Sequence, residues 1–175
     1  MSSATQHSTP GEDDFNLVEI WLRKDPARWI AGAFAGIFSM LVMFAVTAFA
    51  MKSGGHDIWI LPKAFAVPFL SGTAMASGIH AKAIVVGFVV FGLISVLLGA
   101  VFAHMTGTNR IAPLLGMGLT WGAFSWIFIN NLFSSSFREV FALEISKGCA
   151  FFAWMAFGLS MVSVSVFDRV FRGSK

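Results

Sequence analysis

The side chains able to do chemistry are few, and their spacing is the first thing to weigh. His56 and Asp57 are neighbours, and His80 lies on the same side of the chain's apolar segments. Glu144 and Cys149 approach from a later loop, so imidazole, carboxylate and thiol groups of a metal site are present in kind. They lack a fixed local spacing such as histidines at i and i+4. The ordinary role of these interfacial histidines is therefore hydrogen bonding to headgroups or loop carbonyls. His80 and His104 flank one apolar segment, about 36 Å apart along a helix, so they cannot grip a single haem between them. Each is a cofactor candidate only if another helix brings a second ligand. Met40, Met43, Met51, Met117, Met155 and Met161 read as core filler instead. Asn130 and Asn131 are the most polar pair in an apolar segment, and buried amides there need partners on a neighbouring helix or headgroup. No GxSxG, HExxH or phosphate-binding loop is found, so the sequence gives no catalytic residue, no metal centre and no cofactor.

The elements that must position these residues are set by composition. Hydrophobic residues make up 57% of the 175, charged residues 12%, and the mean hydropathy is +0.77. Those values describe an integral membrane protein and exclude a soluble globular fold. A single cysteine excludes an internal disulfide, and the absence of tyrosine excludes phenolic proton relays. The net charge of +3 is spread over loops, which points to membrane orientation rather than nucleic-acid binding. No cleavable signal peptide is evident, so targeting is expected from the first span.

Residues 1–13 are small, polar and acidic, and read as a mobile tail. In residues 14–25, Phe15, Val18, Trp21 and Leu22 recur at helical spacing between Asp14 and Pro26, which predicts an amphipathic interfacial helix. Four stretches, 29–51, 83–105, 111–137 and 148–167, each reach the roughly 20 residues needed to cross a bilayer. None of them contains Asp, Glu, Lys or Arg, which weighs against proton coupling. Between the first two, residues 52–82 carry an apolar run interrupted by Pro68 and Gly72, too broken for a crossing and expected to be interfacial or re-entrant. The membrane domain thus covers 29–167 and a basic tail 168–175. The expected fold is an all-α integral membrane protein, a four-transmembrane-helix up-and-down bundle with an N-terminal interfacial helix, its short links making successive spans neighbours.

Arg23, Lys24, Arg28, Arg110, Arg169, Arg172 and Lys175 fall on one side, and Lys52, Lys63, Lys82, Arg138 and Lys147 on the other. The richer side is the cytoplasmic one, giving N-in and C-in. Small residues supply the expected helix contacts: Gly32 and Gly36; Ser95, Gly99 and Ala103; Gly118 and Gly122; Ala156 and Ser160. Trp29, Trp59 and Trp154 are placed near interfaces, with Trp121 and Trp126 deeper.

The runs GAFAGIFSMLVM, GIHAKAIVVGFVVFGLISVLLGAVFA and APLLGMGLTWGAFSW resemble the YagU-like group of small bacterial inner-membrane proteins over about residues 30 to 130. That resemblance implies a four-helix inner-membrane fold and no defined reaction. The expected function is that of a non-catalytic accessory or scaffold subunit, with membrane lipids and other integral membrane subunits as partners. The alternatives are a small transporter or channel for a neutral or lipid-like solute, and a haem- or quinone-binding electron-transfer subunit through His80 or His104.

Overall fold

Asp25 and Pro26 open the first helix. Pro26 has no N–H to leave unpaired, and the Asp25 carboxylate accepts from the Arg28 N–H at 3.3 Å. A computed structural model describes residues 25–75, 78–132 and 147–173 of the chain. The amphipathic helix expected at 14–25 lies outside them except for Asp25, as do residues 133–137 of the third expected span. Helix α1 runs Pro26–Ser53, about 42 Å at the α-helical rise, and ends where Gly55 takes a left-handed φ of 73°. Helices α2 (Ile60–Leu70), α3 (Ala81–Met105), α4 (Ile111–Leu132), α5 (Lys147–Ser160) and α6 (Val164–Arg172) follow, and no strand occurs among the described residues. A 3-10 turn, Met161–Ser163, joins α5 to α6. The Ser160 hydroxyl donates back to the Ala156 and Phe157 carbonyls at this break, competing with the helix ladder.

Four segments, Pro26–Ser53, Ala81–Met105, Ile111–Asn131 and Gly148–Arg172, are long and apolar enough to span a membrane. The molecule is an all-α, multi-pass membrane bundle. The observed helices outrun the apolar stretches, so α1 takes in Arg28 and Lys52, and the last crossing runs on through Asp168. Charge does occur inside the spanning helices, at their ends.

Residues 52–82 supply α2, at 11 residues too short to cross. Its chain enters and leaves at one pole: Ile60 packs on Met51 at the end of α1, and Gly78 precedes α3. Phe65 of α2 stacks on Phe91 of α3 with centroids 4.3 Å apart, and Trp59 stacks on Phe44 of α1 at 5.8 Å. The Pro62 carbonyl sits where a Cβ on Gly87 would be, 1.7 Å away, so α2 can lie on α3 only because residue 87 is glycine.

Packing repeats itself. The pattern G-x-x-x-G-x-F-S occurs at 32–39 on α1 and again at 118–125 on α4. A Cβ built on Gly99 of α3 would meet the Gly32 carbonyl at 2.1 Å and Gly36 Cα at 2.9 Å. One built on Gly158 of α5 would meet the Gly118 carbonyl at 2.1 Å and Gly122 Cα at 2.7 Å. Two helical hairpins, α1 with α3 and α4 with α5, are thus interlocked in the same way, backbone against backbone. The buried positions correspond as well: Arg28, Gly32, Ala35, Gly36, Ser39 and Met43 on α1 match Leu114, Gly118, Trp121, Gly122, Ser125 and Ile129 on α4.

The joints between the hairpins are unequal. Helix α1 packs closely on α5 and α6, and its Ala31 and Ala35 are fully buried in the common core. At the matching places α4 carries Met117 and Trp121, and the α4 backbone stands off from α3 although residues 106–110 alone join them. Trp121 reaches across to Phe102 with centroids 5.9 Å apart. Chain order made α3 and α4 close neighbours; in the structure they stand apart, with the Trp121 ring against Phe102.

Candidate functional site at the poles of the bundle

Arg28 lies in the first turn of α1, 7% exposed, and its guanidinium meets a fork of acceptors. Nε donates to the Ala103 carbonyl at 2.9 Å, and Nη1 to Asn109 Oδ1 at 2.8 Å and Asp168 Oδ2 at 3.4 Å. Nη2 donates to the Thr108 carbonyl at 2.9 Å and Thr106 Oγ1 at 3.4 Å. Asp168, 1% exposed on α6, also accepts from Asn109 Nδ2 at 2.8 Å and from Arg172 Nε at 2.8 Å. Arg172 pairs in turn with Asp25. One network therefore ties the start of α1, the 106–110 turn and α6 together. The two buried charges, Arg28 and Asp168, are each held by several charge-assisted hydrogen bonds, the condition under which buried charge is tolerated.

The opposite pole carries a smaller version. Lys63 of α2, 1% exposed, sends Nζ to Asp57 Oδ2 and to the Gly78 carbonyl, both at 2.6 Å. The Trp59 N–H donates to Asp57 Oδ1 at 3.0 Å. Burial raises the Asp57 pKa, but the Lys63 hydrogen bond, the Trp59 N–H and the Lys63 charge outweigh it and hold the carboxyl below its ordinary value. This clamp fastens α2 to the stretch that leads into α3.

The expected ligand set of His56, Asp57 and His80 is not brought together: no group of three His, Cys, Asp or Glu side chains converges among the described residues. Asp57 is committed to Lys63, the His56 ring lies over Gly54, and His80 holds the N-cap position of α3. Glu144 lies outside the described residues. His104, at the far end of α3, accepts from Trp29 Nε1 through Nδ1 at 3.1 Å. A neutral His104 in that bond carries its proton on Nε2.

Gly32, Gly36, Gly99, Gly118 and Gly122 lie in the interlocks, Ser95 presents its carbonyl to Gly36, and Ala103 its methyl to Gly32. On α5 the contact is made by Gly158 rather than by the expected Ala156 and Ser160, which are half-buried. Trp154, expected near an interface, is 2% exposed in the core against Phe157. Asn130 is half-buried. Asn131 is exposed and donates to the Ile127 carbonyl of its own helix at 2.8 Å, so it makes no bridge to a neighbour there.

The Arg28–Asp168 pair escaped the sequence reading because each residue stood at the edge of an apolar run and they are 140 apart in sequence. A local signal existed, since Asp25–Pro26 is a helix start and places Arg28 inside the first turn. Comparison with protein-family models, with curated proteins and with solved structures gives no match.

Proposed function

We propose that this chain is a non-catalytic accessory subunit of a bacterial inner-membrane assembly, N-in and C-in, and that α4 is the helix it presents to its partner. The observation that carries this reading is the contrast between two outer faces. Helix α3 exposes Val85, Val89, Leu93, Leu97 and Val101, branched side chains suited to acyl chains. Helix α4, the least apolar of the four spans, exposes Ala112, Gly116 and Thr120 in its first half and Asn131 at its end, beside the apolar Leu115, Leu119, Phe124, Ile127 and Phe128. A Cβ added at Gly116 would meet nothing within 4 Å, so this glycine has no use inside the bundle. Small residues on an outer face let a second backbone approach, and Thr and Asn add hydrogen bonds across such a contact. Among the described residues, the buried charges Arg28, Lys63 and Asp168 are engaged in the two polar clamps, which supports a structural task over a catalytic one.

Mild-detergent purification from native membranes tests the reading. A stoichiometric integral membrane partner is expected to co-migrate with the wild type and to be lost with Gly116→Ile, while the variant keeps wild-type helicity. Recovery of the wild type alone, as monomer or homo-oligomer, would overturn it.

A further inference from the structure

The clamp around Arg28 leaves two cations over. Among the described residues, this pole carries Arg28, Arg110, Arg169 and Arg172 against Asp25 and Asp168. Arg28 and Arg172 take up both carboxylates. Arg110, just ahead of α4, and Arg169, on α6, are exposed, and their guanidinium groups meet no hydrogen-bonding or ionic partner among the described residues.

The buried network fixes where these two stand. Asn109 Nδ2 donates to Asp168 Oδ2 at 2.8 Å, and Arg110 and Arg169 are the next residues along the chain from each. Bond lengths then keep their Cα atoms within about 18 Å, and each guanidinium extends about 7 Å from its own Cα, so both can reach one small anion between them. The turn is pinned as well: Thr108 Oγ1 accepts from the Arg110 N–H at 3.1 Å, while the Thr108 carbonyl accepts from Arg28. On α6, Asp168 faces Asn109 and Phe167 faces Phe34 of α1, so a step of about 100° per residue turns Arg169 to the flank away from α1. Helix α5, which α6 prolongs, packs on both α1 and α4, so that flank is the one on the α4 side.

Their surroundings are apolar. Ile111 beside Arg110, and Val166 and Val170 beside Arg169, are exposed. Both arginines also stand where crossings end, since one span begins at Ile111 and another closes at Arg172. Long cationic side chains at that level reach the lipid headgroups.

We propose that Arg110 and Arg169 form a docking site for an anionic phospholipid of the phosphatidylglycerol type, its phosphate held between the two guanidinium groups and its acyl chains against Ile111, Val166 and Val170. Guanidinium matches phosphate oxygens two at a time. Two cations without a carboxylate favour a headgroup that brings no cation of its own, so phosphatidylcholine, whose ammonium offsets its phosphate, fits less well. The exposed aliphatic side chains select a lipid over a soluble phosphate, which has nothing apolar to lay on them. The site does not depend on the accessory-subunit reading.

Native mass spectrometry of the full chain, released from micelles holding equal amounts of phosphatidylglycerol and phosphatidylcholine, tests it. A retained phosphatidylglycerol is expected, preferred by about tenfold or more, the scale of two cations at a membrane surface. Arg110→Gln/Arg169→Gln should abolish the preference at wild-type helicity, since neither side chain holds the bundle together. Lys52→Gln/Lys82→Gln removes as much exposed charge from the opposite pole and should leave the preference intact. Equal retention of the two lipids by the wild type overturns the proposal, and that arm needs no variant to fold. An unchanged preference in the arginine variant overturns it too, as does an equal loss in the lysine variant, which would mark diffuse charge. Displacement of the lipid by millimolar inorganic phosphate would identify a soluble-anion site and likewise overturn it.

Discussion

Arg28 and Asp168 show how much a single side chain can hold in this fold. Arg28→Met would leave Asp168 buried with Arg172 and Asn109 but without its one buried cation, and removing one partner of a buried pair costs about 3–5 kcal/mol. The lower end of that range is expected, since two partners remain. Arg28→Leu/Asp168→Leu should recover much of the loss, because no charge is then stranded. Denaturant titration in detergent separates the two, and a double variant as unstable as the single would refute the buried-charge account. Arg172, 43% exposed, offers less: Arg172→Ala is expected to cost up to about 1 kcal/mol. Asp57 sets a pH dependence. Its folded pKa lies below the ordinary 3.8, so its contribution is complete above the unfolded value and fades as pH falls through the folded one. Melting temperature between about pH 6 and pH 3 should fall with acid, and less steeply in Asp57→Asn. Little of this was legible in the sequence, where Arg28 and Lys63 read only as loop charges, because pairing across distant segments leaves no local period.

At the scale of elements, the glycines divide into those that are filled and those that are not. A methyl on Gly99 would run into the Gly32 carbonyl and Gly36 backbone, and a methyl on Gly87 into Pro62; neither neighbour is the flexible end of a side chain. Gly99→Ala and Gly87→Ala are therefore expected to destabilise by about 1–3 kcal/mol, as overpacking does. Gly116→Ala meets open space and gains helix propensity, so the isolated chain should be unchanged or up to about 1 kcal/mol more stable. Equal losses at all three would mean that close backbone approach is not what these residues provide. The spans and the interlocking glycines could be read from length, hydropathy and small-residue spacing, because those signals are local. Helix α2 was legible only as an uncrossed apolar run. The break at 161–163 was not legible, since it depends on which serines turn back on their own backbone.

For the whole molecule, the deciding asymmetry is between two joints built from matching positions. Where α1 offers Ala35 the hairpins close, and where α4 offers Trp121 they stay apart. The repeat stood in the sequence as G-x-x-x-G-x-F-S, but its consequence did not, because the residue differing between the copies acts through a contact with Phe102 on another helix. If the indole is the spacer, Trp121→Ala should let α3 approach α4 toward the 8–10 Å typical of packed helices. Spin labels at Val101 and Leu115, both exposed to the outside of the bundle, report that distance. A shortening of about 2 Å or more is expected, within the roughly 8–10 Å limit that packed helices allow. The stability cost should then fall short of the ~3–5 kcal/mol of a rigid Trp→Ala cavity, since collapse refills the space. An unchanged distance with the full cavity cost would show that the joint is held open by the helix ends, through the 106–110 turn and its hydrogen bonds to Arg28, and not by the tryptophan.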